Sequence, residues 1–252
     1  MVNEDLERVA EWSDRNILQV NQTKSKAILI KGRRRTTPCI DSLPGITMKG
    51  HTIEWVDRAV NLGFVFQTDL EWDGLVNQQC GKIYACLRTL YRTASAAPLD
   101  VRLKIFKALL LPHFLFGDIL HVRPSASAMN RFRVALNSCI RFVYGLSRYA
   151  RVSHLQENLI GCSLQNLYAH RSCVFLWKLA KTHSPVTLFQ RLTPFQNRRS
   201  QNFIIPSNNT AGYASTMFVR GVVNWNMLHP MIKRSVTEAS FKRGCLEFWK
   251  RR

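Results

Sequence analysis

Acidic side chains are scarce in this chain, and the scarcity is uneven. Its 252 residues hold 16 Asp and Glu against 36 Lys and Arg, a formal charge of +20. Residues 119–252 contain only Glu157, Glu238 and Glu247 beside 20 basic side chains, net +17, whereas residues 1–118 hold 16 basic and 13 acidic ones, net +3. No two aspartates are adjacent anywhere. That removes the simplest carboxylate arrangement for holding two metal ions about 4 Å apart. The seven cysteines, at 39, 80, 86, 139, 162, 173 and 245, include no Cys-x-x-Cys pair. The spacings Cys80-x5-Cys86 and Cys162-x10-Cys173 fit no common zinc pattern, and no histidine stands at the needed offset, so no metal site is assigned. An odd number of thiols set in apolar, helix-like segments suits reduced, buried cysteines in a reducing compartment, cytoplasmic or nuclear.

Long apolar runs are missing too. The most apolar window, residues 105–122, is broken by Lys107, Pro112, His113, Asp118 and His121. It reads as a core segment, and no membrane span is expected. The acidic opening Met1-Val-Asn-Glu-Asp-Leu-Glu-Arg8 has the character of neither a secretory signal nor a mitochondrial presequence. What the chain has in abundance is positive charge, which points to a polyanionic partner. A basic surplus also occurs on solvated faces, and in fragments parted from an acidic companion. Neutralising phosphates is nevertheless what such an excess does best, so RNA or an RNA–DNA duplex is the expected partner.

Periodicity predicts an α+β fold in three stretches. Over residues 1–68 we expect a short helix from Asn3 to Arg15, capped by Asn3 with Leu6, Val9 and Ala10 inward. Two strands should follow between Ile17 and Ile30, joined by the turn Asn21-Gln-Thr-Lys24, then an exposed basic loop at 31–35, a hairpin over 46–56 and a strand at 62–66. Residues 69–147 are helical. Val76, Cys80, Ile83, Leu87 and Leu90 form one apolar stripe. Pro98 opens a second helix, with Val101, Ile105, Phe106, Leu109 and Leu110 behind it, that Pro112 ends or kinks. Ser127 caps a third, with Phe132, Leu136, Cys139, Ile140 and Val143 inward and Gly145 closing it. Residues 148–252 form a basic C-terminal region: a helix capped by Ser163 and running through Leu167, Tyr168, Val174, Phe175 and Leu179, a polar stretch at 190–209 exposing Arg191, Arg198 and Arg199, a segment at 213–227 that fits strand or helix, and a last helix over 237–251 with Phe241, Cys245 and Phe248 inside.

Three segments carry a resemblance. Leu18-Gln-Val-Asn21-Gln-Thr-Lys24-Ser25, then Leu62-Gly63, then Leu111-Pro-His-Phe-Leu-Phe-Gly117 resemble the end of the palm and the thumb of non-LTR retrotransposon (LINE, Jockey-like) reverse transcriptases. The tail Val219-Arg-Gly-Val-Val-Asn-Trp225-Asn226-Met-Leu228, with Phe241-Lys242 beyond it, is similar to the C-terminal extension of those elements. The resemblance implies a palm remnant over 1–68, a thumb over 69–147 and an extension over 148–252. In the family the metal-binding aspartates precede the Asn-x-x-Lys turn, which here would put them before Met1. A helix starting almost at the initiator is therefore read as the mark of a truncated copy or gene model, and the missing palm and fingers portion becomes a candidate partner.

The residues then sort as follows. Phe116-Gly-Asp118-Ile holds a single carboxylate and reads as a helix end or salt-bridge partner. Lys24 matches the family's lysine near the leaving pyrophosphate; with no metal-bound nucleotide it is at most auxiliary, otherwise a solvated turn residue, and no catalytic residue is assigned. Ser25 replaces the usual threonine, and Met227-Leu-His-Pro230 departs from a direct Leu-Pro. Gly63 matches the motif that supports the primer end in the family, or is an ordinary strand bend. Lys24, Lys26, Gly63, Lys82, Arg88, Arg92, Arg131, Arg133 and Arg141 are the expected nucleic-acid contacts, each equally at home on a solvated face. No cofactor is assigned to this chain, although the intact family enzyme would need magnesium. The expected function is that of a C-terminal fragment of an RNA-directed DNA polymerase that binds nucleic acid without polymerising alone. The alternatives are a non-enzymatic helical nucleic-acid-binding or scaffold protein derived from a transposable element, and a remnant that does not fold stably.

Overall fold

A computed structural model describes residues 2–30, 43–70, 72–119, 125–195, 200–208, 211–214 and 216–252. The fold is α+β and mostly helical, and the chain divides into two compact units, residues 1–75 and 76–252. The basic loop at 31–35, Cys39, and Arg198 and Arg199 lie outside the described residues.

In the first unit, helix α1 (Val2–Arg15) packs on a three-stranded sheet ordered β1–β3–β2, built from β1 (Lys26–Ala27), β2 (Ile46–Met48) and β3 (His51–Trp55). β1 runs parallel to β3, and β2 antiparallel to it. Ala10, Ile46, Met48 and Ile53 form the core. Asn3 lies inside α1 rather than capping it. Its side chain donates to the Gly45 carbonyl at 3.2 Å and accepts from the Thr47 amide at 3.1 Å, while Glu7 accepts from the Lys49 amide at 3.1 Å. α1 thereby satisfies the outer edge of β2, which would otherwise be open to pairing. The inner face of the helix is Leu6, Ala10 and Ser13, and Val9 is exposed, because the docking direction is set by these edge bonds as well as by apolar spacing. No strand forms over 17–20. The Leu18 amide instead closes the end of α1 on the Ser13 carbonyl, and Ile17 projects 95% exposed.

The predicted hairpin at 46–56 is present, and a second one the sequence reading missed joins β4 (Arg58–Asn61) to β5 (Phe64–Gln67). Its two-residue turn is Leu62-Gly63, with φ of 50° and 81°. Positive φ at both positions is the type I′ geometry whose twist matches that of the paired strands. Leucine rarely adopts that region, and Leu62 is 89% exposed, so no packing offsets the strain. Replacing Leu62 with Asn should stabilise the chain against urea by about 1 kcal/mol. Lower stability in the variant would mean that the leucine is held by a contact.

In the second unit, α2 (Asp73–Thr93) starts within the last residues of the first unit and buries the predicted stripe Val76, Cys80, Ile83, Leu87 and Leu90. Pro98 caps α3 (Leu99–Ile105) rather than occupying its first turn. Pro112 does not end the helical path. A π-helical turn, Phe106–Leu110, precedes α4 (Leu111–Leu115), with the proline in the first turn of α4. Widening the turn accommodates a residue that has no N–H to donate. Phe106, Leu110 and Phe114 are buried along this path, while Val101 and Leu109 are exposed, against expectation. α5 (Ala126–Tyr144) is capped by Ser125, whose hydroxyl accepts from the Ala128 amide at 3.1 Å; Ser127 lies within the helix. Gly145, at φ 65°, closes α5 in a Schellman turn in which the Leu146 amide reaches the Arg141 carbonyl at 2.9 Å.

These helices, with α6 (Gln156–Ile160), enclose one apolar cluster. A second cluster gathers α7 (Leu164–Thr182), Leu192, Phe203, α10 (Val222–Met227), α11 (Pro230–Lys233) and α12 (Glu238–Lys250). The short helices α8 (Val186–Phe189) and α9 (Ala211–Ala214) complete the unit. Ser163 caps α7 as expected, but its fully inward residues are Cys173, Leu176 and Leu179, while Leu167, Tyr168, Val174 and Phe175 are half-buried. In the ambiguous segment 213–227, Thr216 is extended and residues 217–227 are helical, with a π turn at Met217–Gly221 leading into α10. In α12 Trp249 is buried beside Phe241 and Cys245, and Phe248 is only half-buried. Asp118 is a salt-bridge partner: it is buried and paired with Arg171 of α7.

Candidate nucleic-acid interface

Division into units sharpens the charge asymmetry. Residues 76–252 hold 26 basic and five acidic side chains, net +21, whereas residues 1–75 hold ten basic and eleven acidic ones, net −1. Long-range attraction of a polyanion therefore belongs to the helical unit.

Within it, α2 presents an exposed band along one flank of its apolar stripe. At about 100° per residue, Tyr84, Arg88, Tyr91 and Arg92 fall in one band, and all four are exposed, the tyrosines at 41% and 46%. This face borders an open groove of about 670 Å³ lined by Tyr84, Leu87, Arg88, Tyr91, Ser138, Arg141, Leu146 and Arg148. Tyr91 is anchored edge-on against Phe142, with centroids 5.4 Å apart, and the Arg148 guanidinium lies 5.1 Å from the centre of the Tyr149 ring. Burial raises the phenols of Tyr84 and Tyr91 above their ordinary range. Arginines for phosphates and tyrosine rings for bases, within one groove, can hold a nucleic-acid strand by backbone and stacking contacts together.

Arg88 and Arg141 are the predicted residues that this groove brings together. Arg141 is half-buried and gives both its Nε, at 3.2 Å, and its Nη2, at 3.0 Å, to the Ala150 carbonyl, which ties the loop after α5 to the helix. Arg133 is exposed and turned onto Asn130, with Nη2 2.7 Å from Oδ1. Arg131 is half-buried. The three arginines of α5 therefore stand in three different environments, and a shared helix does not give them a shared face. Lys82 is exposed on the other side of α2 from Arg88, where its charge, after burial, helps to hold His113 below the ordinary histidine range.

The remaining predicted residues belong to the first unit. Lys24 is exposed at the end of the 3-10 turn Gln22–Lys24, which Asn21 organises by accepting from the Lys24 amide at 3.0 Å and from the Thr23 hydroxyl at 2.8 Å. Lys26 is paired with Glu54, 2.5 Å away across the parallel strands. Gly63 sits in the hairpin turn described above. Comparison with known protein families, curated proteins and solved structures finds no match.

The sequence reading missed Tyr84, Tyr91 and Arg148. A signal for the tyrosines was present in the seven-residue spacing that puts two aromatics along one flank of the apolar stripe of α2. For Arg148 there was none, since its approach to the groove depends on how the loop after Gly145 folds back. The tail residues Trp225 and Asn226 also acquire a role. Asn226 accepts from the Phe203 amide at 3.0 Å and donates to its carbonyl at 2.8 Å, and the Trp225 indole donates to the Gln201 carbonyl at 2.8 Å. These two side chains pin the 201–203 segment in the way a neighbouring strand would.

Proposed function

We propose that this chain is a nucleic-acid-binding protein of the non-LTR retrotransposon reverse-transcriptase type, with residues 1–75 corresponding to the end of a palm and residues 76–252 to a thumb and C-terminal extension. It binds RNA or an RNA–DNA duplex and does not polymerise alone. The observation that carries this reading is the placement of the whole positive excess on the helical unit, together with the Tyr84, Arg88, Tyr91 and Arg92 face of α2 beside the groove. The Asn21-organised turn bearing Lys24 and the hairpin tip at Leu62-Gly63 add the local geometry of the segments that carry the resemblance. Magnesium would enter with the carboxylates of an intact enzyme.

A second reading, a non-enzymatic helical nucleic-acid-binding protein, is favoured by the same charge partition, because the first unit contributes no net attraction. Primer extension separates enzyme from binder. With an RNA template, a DNA primer, magnesium and deoxynucleotides, the purified chain should bind the template–primer and extend nothing, since its residues include no adjacent pair of aspartates to position two metal ions. Template-dependent incorporation that persists through further purification would overturn the non-catalytic assignment. Loss of binding would overturn both readings.

A further inference from the structure

A second cavity, of about 440 Å³, shares no residue with the α2–α5 groove. Its wall is built on an aromatic stack. Phe241 is stacked between Trp177 and Trp225, with centroids 5.6 and 5.8 Å apart, and Phe203 leans on Trp225 at 5.7 Å. An ammonium group lies over each indole, Lys181 5.8 Å from the Trp177 ring centre and Lys233 5.9 Å from that of Trp225. The lining includes two amides, Gln201 and Asn202, and no carboxylate.

Two features show chemistry the fold leaves unanswered. Lys233 is only 3% exposed, and its Nζ meets neutral oxygens alone: Asn202 Oδ1 at 2.5 Å, and the Ser200 and Asn226 carbonyls at 3.4 Å. Among the described residues no ion pair compensates that charge, and burial pushes its pKa down to about 8. A buried cation without a counter-charge is held at a cost that an incoming anion relieves. The second feature is Trp177, 7% exposed, whose buried indole N–H has no hydrogen-bond partner among the described residues. An unmet buried donor is equally costly until an acceptor arrives. The cavity is also preformed, because Trp225, Asn226 and Lys233 all fasten the 200–203 segment that forms one side of it.

A planar ring with an anionic group answers every feature of this list: aromatic surface for the ring, amides for its edge, two ammonium groups and a free N–H for the anion. The volume falls within the range of small-ligand sites. We propose that this cavity binds a single nucleotide unit, its base against the aromatic wall and its phosphate at Lys181 and Lys233. The unit can be a free nucleoside monophosphate or the phosphorylated end of a strand. This goes beyond the duplex-binding reading and does not depend on it.

The test is a titration of the full chain with AMP, followed by tryptophan fluorescence and repeated by calorimetry, with adenosine as the phosphate-free comparison. Saturable AMP binding below about 1 mM is expected, with adenosine at least about tenfold weaker. Trp177→Phe, which keeps a ring and removes the donor, and Lys181→Gln, at an exposed position, should each weaken AMP about tenfold while circular dichroism stays that of the folded chain and, for Lys181→Gln, the melting temperature is also unchanged. Phe195→Ala, also exposed at the rim, should weaken AMP and adenosine alike. Competition by a 5′-phosphorylated ribo-oligonucleotide, but not by its unphosphorylated form, would assign the site to a strand end; failure of both to compete would assign it to the free nucleotide. Absence of saturable AMP binding, or AMP affinity unchanged in both Trp177→Phe and Lys181→Gln, would overturn the proposal, whatever the outcome of the duplex-binding experiments.

Discussion

Raising salt from about 50 to 200 mM should weaken binding of a short RNA duplex by about a thousandfold, because a surface that neutralises some six or more phosphates releases as many counterions. The net +21 of residues 76–252 permits that many contacts, whereas residues 1–75, at net −1, carry no positive excess. Geometry selects the side chains to change. Arg131, Arg133 and Arg141 share a helix, but Arg141 is tied to the Ala150 carbonyl and Arg133 turns onto Asn130. Arg88, Arg92 and Arg148 are exposed on or near the α2 groove. Replacing these three with Gln should reduce the slope of log affinity against log salt by about 2 to 3 and lower affinity by about a hundredfold near 100 mM salt. The same change at Lys24 and Lys26 should do little, since Lys26 already faces Glu54. Shuffled duplex sequences should bind almost equally, because phosphate contacts carry little sequence information. Salt-independent binding, or an unaltered slope in the triple variant, would remove the α2 face from the interface.

The protein should also lose stability steeply above about pH 9. Burial raises the thiols of Cys80, Cys86, Cys139 and Cys162 above their usual 9.0, and a hydrogen bond with Cys173 together with burial does the same for Cys245. Burial likewise raises the phenols of Tyr84, Tyr91 and Tyr168 above 10.0, the last donating to the Phe114 carbonyl at 2.8 Å. For these acids the folded pKa exceeds the unfolded one. Their contribution is therefore complete below the unfolded pKa and is lost as pH climbs past it, when the unfolded chain releases protons that the native state retains. A well-buried thiol such as Cys139 costs up to about 1.4 kcal/mol per pH unit in that window. Lys233 works the other way. Its folded pKa is lowered to about 8, so between about 8 and 10.5 the unfolded chain binds a proton that the native chain lacks, and stability gains with pH. One such group does not outweigh the buried thiols and phenols. Urea denaturation in a thiol reductant at half-unit steps from about pH 7 to 10 should show a plateau and then a decline. A flat profile would mean that the thiols are open to solvent in the native state.

Local chemistry was legible in the order of residues. The stripe Val76, Cys80, Ile83, Leu87 and Leu90, the cap at Ser163 and the glycine stop at Gly145 depend on neighbours within one or two helical turns, so spacing and residue type sufficed for them. The rise of positive charge along the chain was legible as a trend. Its boundary was not: which carboxylates share a unit with which cations depends on contacts, and these assign Asp69 and Asp73 to the first unit and Lys82, Arg88 and Arg92 to the second. Pro112 was expected to end or kink its helix, and residue order left that choice open; in the folded chain the path continues through a wider turn, with Phe106 and Phe114 buried on either side of it. Asn3 looked like a cap until the edge of β2 claimed its side chain. Arg141 and Lys26 looked free until Ala150 and Glu54 met them. The second cavity is the extreme case, since Trp177, Phe203, Trp225 and Lys233 come from four separate segments. Residue order determined which faces are apolar and how much charge the chain carries. Tertiary structure alone decided which of those charges remain unanswered, because a hydrogen bond or ion pair between distant segments exists only once the chain has folded.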